Sequence, residues 1–162
     1  VYRGWIAYVH DDLDAAERAF RDAVRIFAAN EDFGRLCEAE RALAEVLLER
    51  GLVDEAEKLA LSARAHVGNS DVTSATSTLR TLGLVRAAQG RVDDAELILR
   101  EALGLIEGTD CRLLEVAAVV SLSRFLHGVG RDREAEELDA RLPERIPGWL
   151  NEVERHRTLR TA

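Results

Sequence analysis

Proline, lysine, methionine and cysteine are all scarce in this chain, and each shortage narrows what it can be. The two prolines, Pro143 and Pro147, stand near the end, so no pyrrolidine ring interrupts a helix over the first 142 residues. Cys37 and Cys111 are lone residues on predicted helices far apart in the chain. That excludes a disulfide framework and fits small buried side chains in a reducing cytoplasm. Lys58 is the one lysine, methionine is absent, and arginine supplies nearly all positive charge, as expected of a GC-rich coding sequence. With a formal net charge of −8 and no basic cluster that outweighs its acidic neighbours, the chain lacks the face that phosphate neutralisation requires. Nucleic acid is excluded as the main partner. No run reaches the 18 or so apolar residues of a membrane span, and no signal peptide opens the chain. No segment alternates with period two over a useful length, which excludes a sheet.

What is present is a repeat. Asp11-Asp12-Leu13-Asp14-Ala15-Ala16-Glu17, Gly51-Leu52-Val53-Asp54-Glu55-Ala56-Glu57, Gly90-Arg91-Val92-Asp93-Asp94-Ala95-Glu96 and Gly130-Arg131-Asp132-Arg133-Glu134-Ala135-Glu136 each place an Ala-Glu pair five residues after a helix-breaking position. Ala16, Ala56, Ala95 and Ala135 follow at intervals of 40, 39 and 40 residues. Helical patterning flanks every break. The unit is therefore a helix-turn-helix hairpin that buries its faces by stacking on its neighbours. The first helices run to about His10, then over Asp32–Arg50, Asp71–Gln89 and Asp110–Gly128. The second helices run over Asp12–Ala29, Val53–Val67, Val92–Ile106 and Arg131–Leu142. Gly51, Gly90 and Gly130 suit the left-handed end of a helix. Gly68-Asn69-Ser70-Asp71 and Gly108-Thr109-Asp110 offer a stop followed by capping oxygens. In the third copy Leu79, Leu82 and Gly83 form one stripe and Ile98, Leu99, Ala102 and Ile106 its partner. Ala44 and Gly83 join the recurrent alanines where helices approach closely.

The fourth copy is more polar. Asp132 stands where Leu13, Val53 and Val92 stood, and Asp139 where Phe20, Ala60 and Leu99 stood. Beyond Pro143, the residues Ile146, Trp149, Leu150 and Val153 fall at i, i+3, i+4 and i+7, a ninth, amphipathic helix closing the array. At the other end Val1, Tyr2, Trp5, Ile6 and Val9 share one helix. They read as an apolar surface awaiting a further repeat, so a longer parent protein and weak self-association through this end are expected.

Gly at the break, Ala-Glu five residues later, a larger apolar residue four after that alanine and another alanine three further on resemble the tetratricopeptide repeat family. The third copy carries the pattern in Leu82-Gly83, Gly90, Ala95, Leu99 and Ala102. The second carries it in Leu43-Ala44, Gly51, Ala56, Ala60 and Ala63, and the first in Gly4, Ala16, Phe20 and Ala23, with Asp11 in place of glycine. The period is about 40 residues where the family commonly has 34. Long Ala/Arg/Glu-rich copies of this kind resemble the arrays of large bacterial regulators. The resemblance implies an all-α, right-handed solenoid of antiparallel hairpins. Its four repeats would occupy 1–30, 31–69, 70–109 and 110–142, with a closing helix and tail over 143–162.

No constellation for catalysis stands out. There is no phosphate-binding loop with its Lys-Ser/Thr, and Gly128-Val129-Gly130 lacks a third glycine and a preceding strand. His10, His66, His127 and His156 lie on different elements without metal-ligand spacing. Ser70, Ser74, Ser77, Ser121 and Ser123 have no partnered histidine in sequence. No enzyme activity, cofactor or metal is expected. The resemblance places binding residues on the first helix of each pair, facing a concave groove: Trp5, Tyr8, Glu38, Arg41, Glu45, Glu49, Ser77, Arg80, Thr81, Leu84, Arg124 and His127. This mixture suits a peptide or a domain of the same or another protein. The cationic clamp with which cochaperones of the family hold a C-terminal carboxylate is absent, since Val1, Trp5, Ala42, Ser77 and Thr81 occupy its positions. The expected function is a cytoplasmic protein-interaction or scaffold module. The alternative is a sensory array that controls an attached ATPase, nucleotide-cyclase or DNA-binding domain.

Overall fold

A computed structural model describes residues 1–68 and 70–142. Among them are eight helices and no strand: α1 Tyr2–Val9, α2 Leu13–Ala29, α3 Phe33–Glu49, α4 Val53–His66, α5 Val72–Ala88, α6 Val92–Ile106, α7 Arg112–Gly128 and α8 Asp132–Asp139. The ninth, closing helix expected from sequence lies outside the described residues. No described helix is long and apolar enough to cross a membrane.

The turns carry a common hydrogen-bond signature. Gly51 N donates to Leu48 O while Leu52 N reaches back to Leu47 O, and Gly90 with Arg91 and Gly130 with Arg131 repeat the pair of bonds. These satisfy carbonyls left over at a helix end, and the geometry needs a left-handed residue. The three glycines have φ between 73° and 77°. Asp11 takes the same role at φ 60° and Glu31 at φ 53°, the latter at a turn between hairpins where no glycine announces it. Asp12, Asp32 and Asp71 cap α2, α3 and α5 by accepting from the backbone N–H three residues on. Asp110 does not cap α7. Its helix starts after Cys111, whose own side chain makes no cap bond, and Thr109 instead holds the turn by donating to Ile106 O.

The described residues fall into two compact units, the first within Val1–Asn69 and the second within Ser70–Ile146. In the first, α1 packs on α2, α2 on α3 and α3 on α4. In the second, α5, α6, α7 and α8 do the same, and α5 also packs on α7. Ala16, Ala56, Ala95 and Ala135 are all fully buried, as is Ala44. The close approach is tightest where glycine faces a large side chain sixteen residues on. A β-carbon on Gly4 would stand 2.6 Å from the Phe20 ring, and one on Gly83 would stand 2.7 Å from Leu99 Cγ. Phe20 and Leu99 are themselves sealed from solvent. The second unit's core joins Ala95, Leu99, Leu103 and Ile106 of α6 to Leu122, Phe125 and Leu126 of α7.

Ion pairs of the same design bind each unit's second helices. Arg21 spans Glu17, one turn back, and Glu55 on α4; 79 residues on, Arg100 spans Glu96 and Glu134 on α8. Arg50 and Arg131 complete the two sets by bonding Glu17 and Glu96. The glutamate of the Ala-Glu motif thus holds arginines in the first and third copies.

Candidate functional site

Five of the candidate groove residues meet in the first unit, on α1 and α3. Gly4 lets α1 sink onto Phe20, which brings Trp5 edge-on to the Phe20 ring with centroids 5.2 Å apart. Trp5 also meets Tyr8 edge-on at 5.5 Å. The Arg41 guanidinium lies over the Trp5 ring, its carbon 5.3 Å from the centroid, and donates to Glu45 Oε1 at 3.0 Å. The Tyr8 hydroxyl donates to Glu49 Oε1. A cation over the face of an indole is attracted by the ring quadrupole, and more strongly when both are desolvated.

Arg41 and Arg80, expected to face the groove, are largely withdrawn from solvent. The Arg41 side chain is 12% exposed and that of Glu45 only 2%. A pair so far from water gains little net stability, because desolvation offsets the attraction. Glu38, one turn ahead of Arg41, is exposed and presents its carboxylate to solvent. Trp5 is half-buried, so it does not belong to the exposed apolar end; that end consists of Tyr2, Ile6 and Val9.

In the second unit Ser77, Arg80, Thr81 and Leu84 fall at i, i+3, i+4 and i+7 of α5. Arg80 is buried, 7% exposed, and its Nη1 donates to Ser121 Oγ of α7 at 3.3 Å. Thr81 is fully buried and its hydroxyl bonds back to Ser77 O. Ser77, Leu84 and Arg124 are half-buried. His127 is exposed at the end of α7 and sits between Asp132 and Asp139 of α8. The structure therefore joins Arg80 to α7 and His127 to α8.

Sequence reasoning missed a buried carboxylate in the first unit. Glu40, 6% exposed, accepts from Ser62 Oγ at 2.7 Å and lies 2.9 Å from His66 Nδ1, and the His66 ring stacks on Phe33 at 5.3 Å. Ser62 and His66 on α4 are four residues apart, a spacing that could have flagged one shared partner. Both bond the carboxylate, and no hydrogen bond joins them. This differs from a nucleophilic arrangement, in which the imidazole must take the serine's proton. An open depression between the α1–α2 turn and the end of α3 is lined by Asp11, Asp12, Leu13, Asp14, Glu49 and Arg50. Its carboxylates are engaged internally: Asp12 caps α2, Asp14 holds Arg50 and Glu49 takes the Tyr8 hydroxyl. Among the described residues no group of three His, Cys, Asp or Glu side chains is placed to hold a metal ion. Cys37 is buried, Cys111 half-buried, and both are free thiols.

No family model matches the chain. Over 126 residues, 77% of its length, it is 31% identical to the regulatory protein AfsR of Streptomyces coelicolor. The matched stretch is 12% of that protein, so the chain spans a small part of the relative's length.

Proposed function

We propose that this chain is a non-catalytic binding array of the tetratricopeptide type, stacked as a solenoid within a regulatory protein. In this reading it takes a peptide or another domain along the first-helix face. The observation that carries the proposal is the meeting of Trp5, Tyr8, Arg41, Glu45 and Glu49 on α1 and α3. Residues 33 to 44 positions apart converge there on one face, as expected when first helices of successive hairpins line a common surface. The inner pair Arg41–Glu45 holds the Trp5 ring in place, and exposed Glu38 sets the charge a ligand meets. Since Glu38 leads this face, a ligand with positive or mixed charge is favoured.

Similarity to a protein named as regulatory favours a second reading of the same surface. The occupant would then be an attached ATPase, nucleotide-cyclase or DNA-binding domain of the parent chain, held by the array until a signal displaces it. Either reading places the molecule in the cytoplasm.

The test is affinity capture from lysate, followed by calorimetry with the recovered partner. Glu38→Arg on the proposed face is compared with Lys58→Glu on the second helix α4. The reading expects roughly tenfold or greater weakening from Glu38→Arg, the scale of an interface anchor, and parent-like affinity from Lys58→Glu. Equal losses from both variants, or none from either, would remove the proposal's support.

A further inference from the structure

The fourth hairpin departs from the others at the crossing of its two helices. At this register the first and third hairpins seal carbon against carbon, Gly4 under Phe20 and Gly83 under Leu99. The fourth has Ser123 and Asp139, and Ser123 Oγ donates to Asp139 Oδ1 at 2.6 Å. One turn along α7, His127 places Nδ1 2.8 Å from Asp132 Oδ1 and Nε2 3.4 Å from Asp139 Oδ2. Asp132 and Asp139 are the first and last residues of α8. One imidazole therefore reaches both ends of that helix. Its apolar hold is slight: Ala135 is its one buried residue, and half-buried Leu138 packs on the same core as Leu99, Leu122 and Leu126.

We infer that α8 is a pH-sensitive latch over the end of the second unit's core, closed on imidazolium His127 and loosened when that ring is neutral. An imidazolium donates from both nitrogens, whereas a neutral ring has one N–H and can satisfy one of the two carboxylates. Ser123 cannot substitute, since its hydroxyl already serves Asp139. The charged groups acting on His127 are Asp132 and Asp139, both of α8; among the described residues none of α5 or α6 contributes. The hydrogen bond to Asp132 foremost, and then that to Asp139, hold the imidazole above its ordinary range near 6.5. A raised folded value means the contribution is complete below about 6.5 and is lost as pH rises through the folded value. The latch is therefore tight in mild acid and loose in mild base. Exposure of all three side chains keeps the effect to a modest ratio.

Hydrogen exchange on the full chain between about pH 6 and 9 tests this, with α8 amide protection referred to that of α6. The relative protection of α8 is expected to fall about two- to fivefold across the range, the span an exposed ion pair allows. Its midpoint should coincide with the His127 ring titration followed by NMR. His127→Gln, which keeps a neutral donor, should give a flat profile, and Asp139→Asn should move the ring titration downward. Flat α8 protection in the parent while His127 titrates would overturn the inference. So would an unchanged fall in His127→Gln.

Discussion

Gly83 and Leu99 approach so closely that a β-carbon on the glycine would stand 2.7 Å from Leu99 Cγ and 2.8 Å from its Cδ2. In the second hairpin the same register holds Ala44 and Ala60, so each of the first three hairpins balances one member of the pair against the other. Gly83→Ala should destabilise by about 1 kcal/mol, overpacking outweighing the helix-propensity gain. Leu99→Ala alone should cost about 2–5 kcal/mol. The double variant recreates the alanine pair and should be more stable than the two losses added together, with a coupling of about 1 kcal/mol or more. Gly104→Ala on the open side of α6 serves as control and should stabilise by about 0.5–1 kcal/mol. Denaturant midpoints decide. Additive losses would mean the crossing is not a tight contact.

The left-handed positions give a second prediction, of opposite sign at two sites. Glu31 holds φ 53° against its β-carbon, so Glu31→Gly should stabilise by about 0.5–1 kcal/mol. Gly90 holds φ 73°, and Gly90→Ala should destabilise by about 1 kcal/mol. Thermal melts of both variants check the pair together.

Acid should weaken the second unit through Glu96. Hydrogen bonds from Arg100, and then from Arg131, hold its carboxyl below the ordinary range near 4.5. A depressed folded value gives a contribution that is complete above about 4.5 and is lost as pH falls through the folded value. Stability measured against pH should therefore fall below about 4.5, and Glu96→Gln should flatten part of that fall. Parallel acid limbs in parent and variant would show that the network does not bind protons differently on folding.

Arg41→Ala should destabilise by about 2 kcal/mol or more, because it removes the guanidinium that pairs with the buried Glu45 carboxylate and lies over the Trp5 ring. Arg41→Ala with Glu45→Ala should recover part of that loss. Arg80→Ala should also destabilise, by about 1–3 kcal/mol, since the side chain is buried against α7. Urea titration resolves both. A neutral Arg41→Ala would mean the pair is solvated.

The hairpins were legible because turn chemistry and small crossing residues repeat in register: Gly51, Gly90 and Gly130 mark the breaks, and Ala16, Ala56, Ala95 and Ala135 mark the close approaches. Asp11 could be placed only because the register demanded a left-handed residue there. Glu31 was invisible for the converse reason, lying at a turn outside that register with no glycine to signal it. The burial of Glu45, Arg41 and Arg80 was hidden because charges at helical spacing read as a solvated face, and only the neighbouring helix reveals the partner. Trp5 was misplaced on the open end because α1 is apolar on both sides, and its period does not say which side faces α2. The Glu40–Ser62–His66 cluster required the α3–α4 packing, which one sequence does not specify.

Site-specific photo-crosslinking in the intact protein tests the central claim most directly. A photoreactive residue replaces Glu38 on α3, on the proposed face, or Lys58 on α4 as the control, both with side chains open to solvent. The account predicts that Glu38 crosslinks to a discrete partner segment, identified by mass spectrometry, and that Trp5→Ala diminishes that product. Crosslinks that arise equally from Lys58, or only from it, would contradict a first-helix binding face.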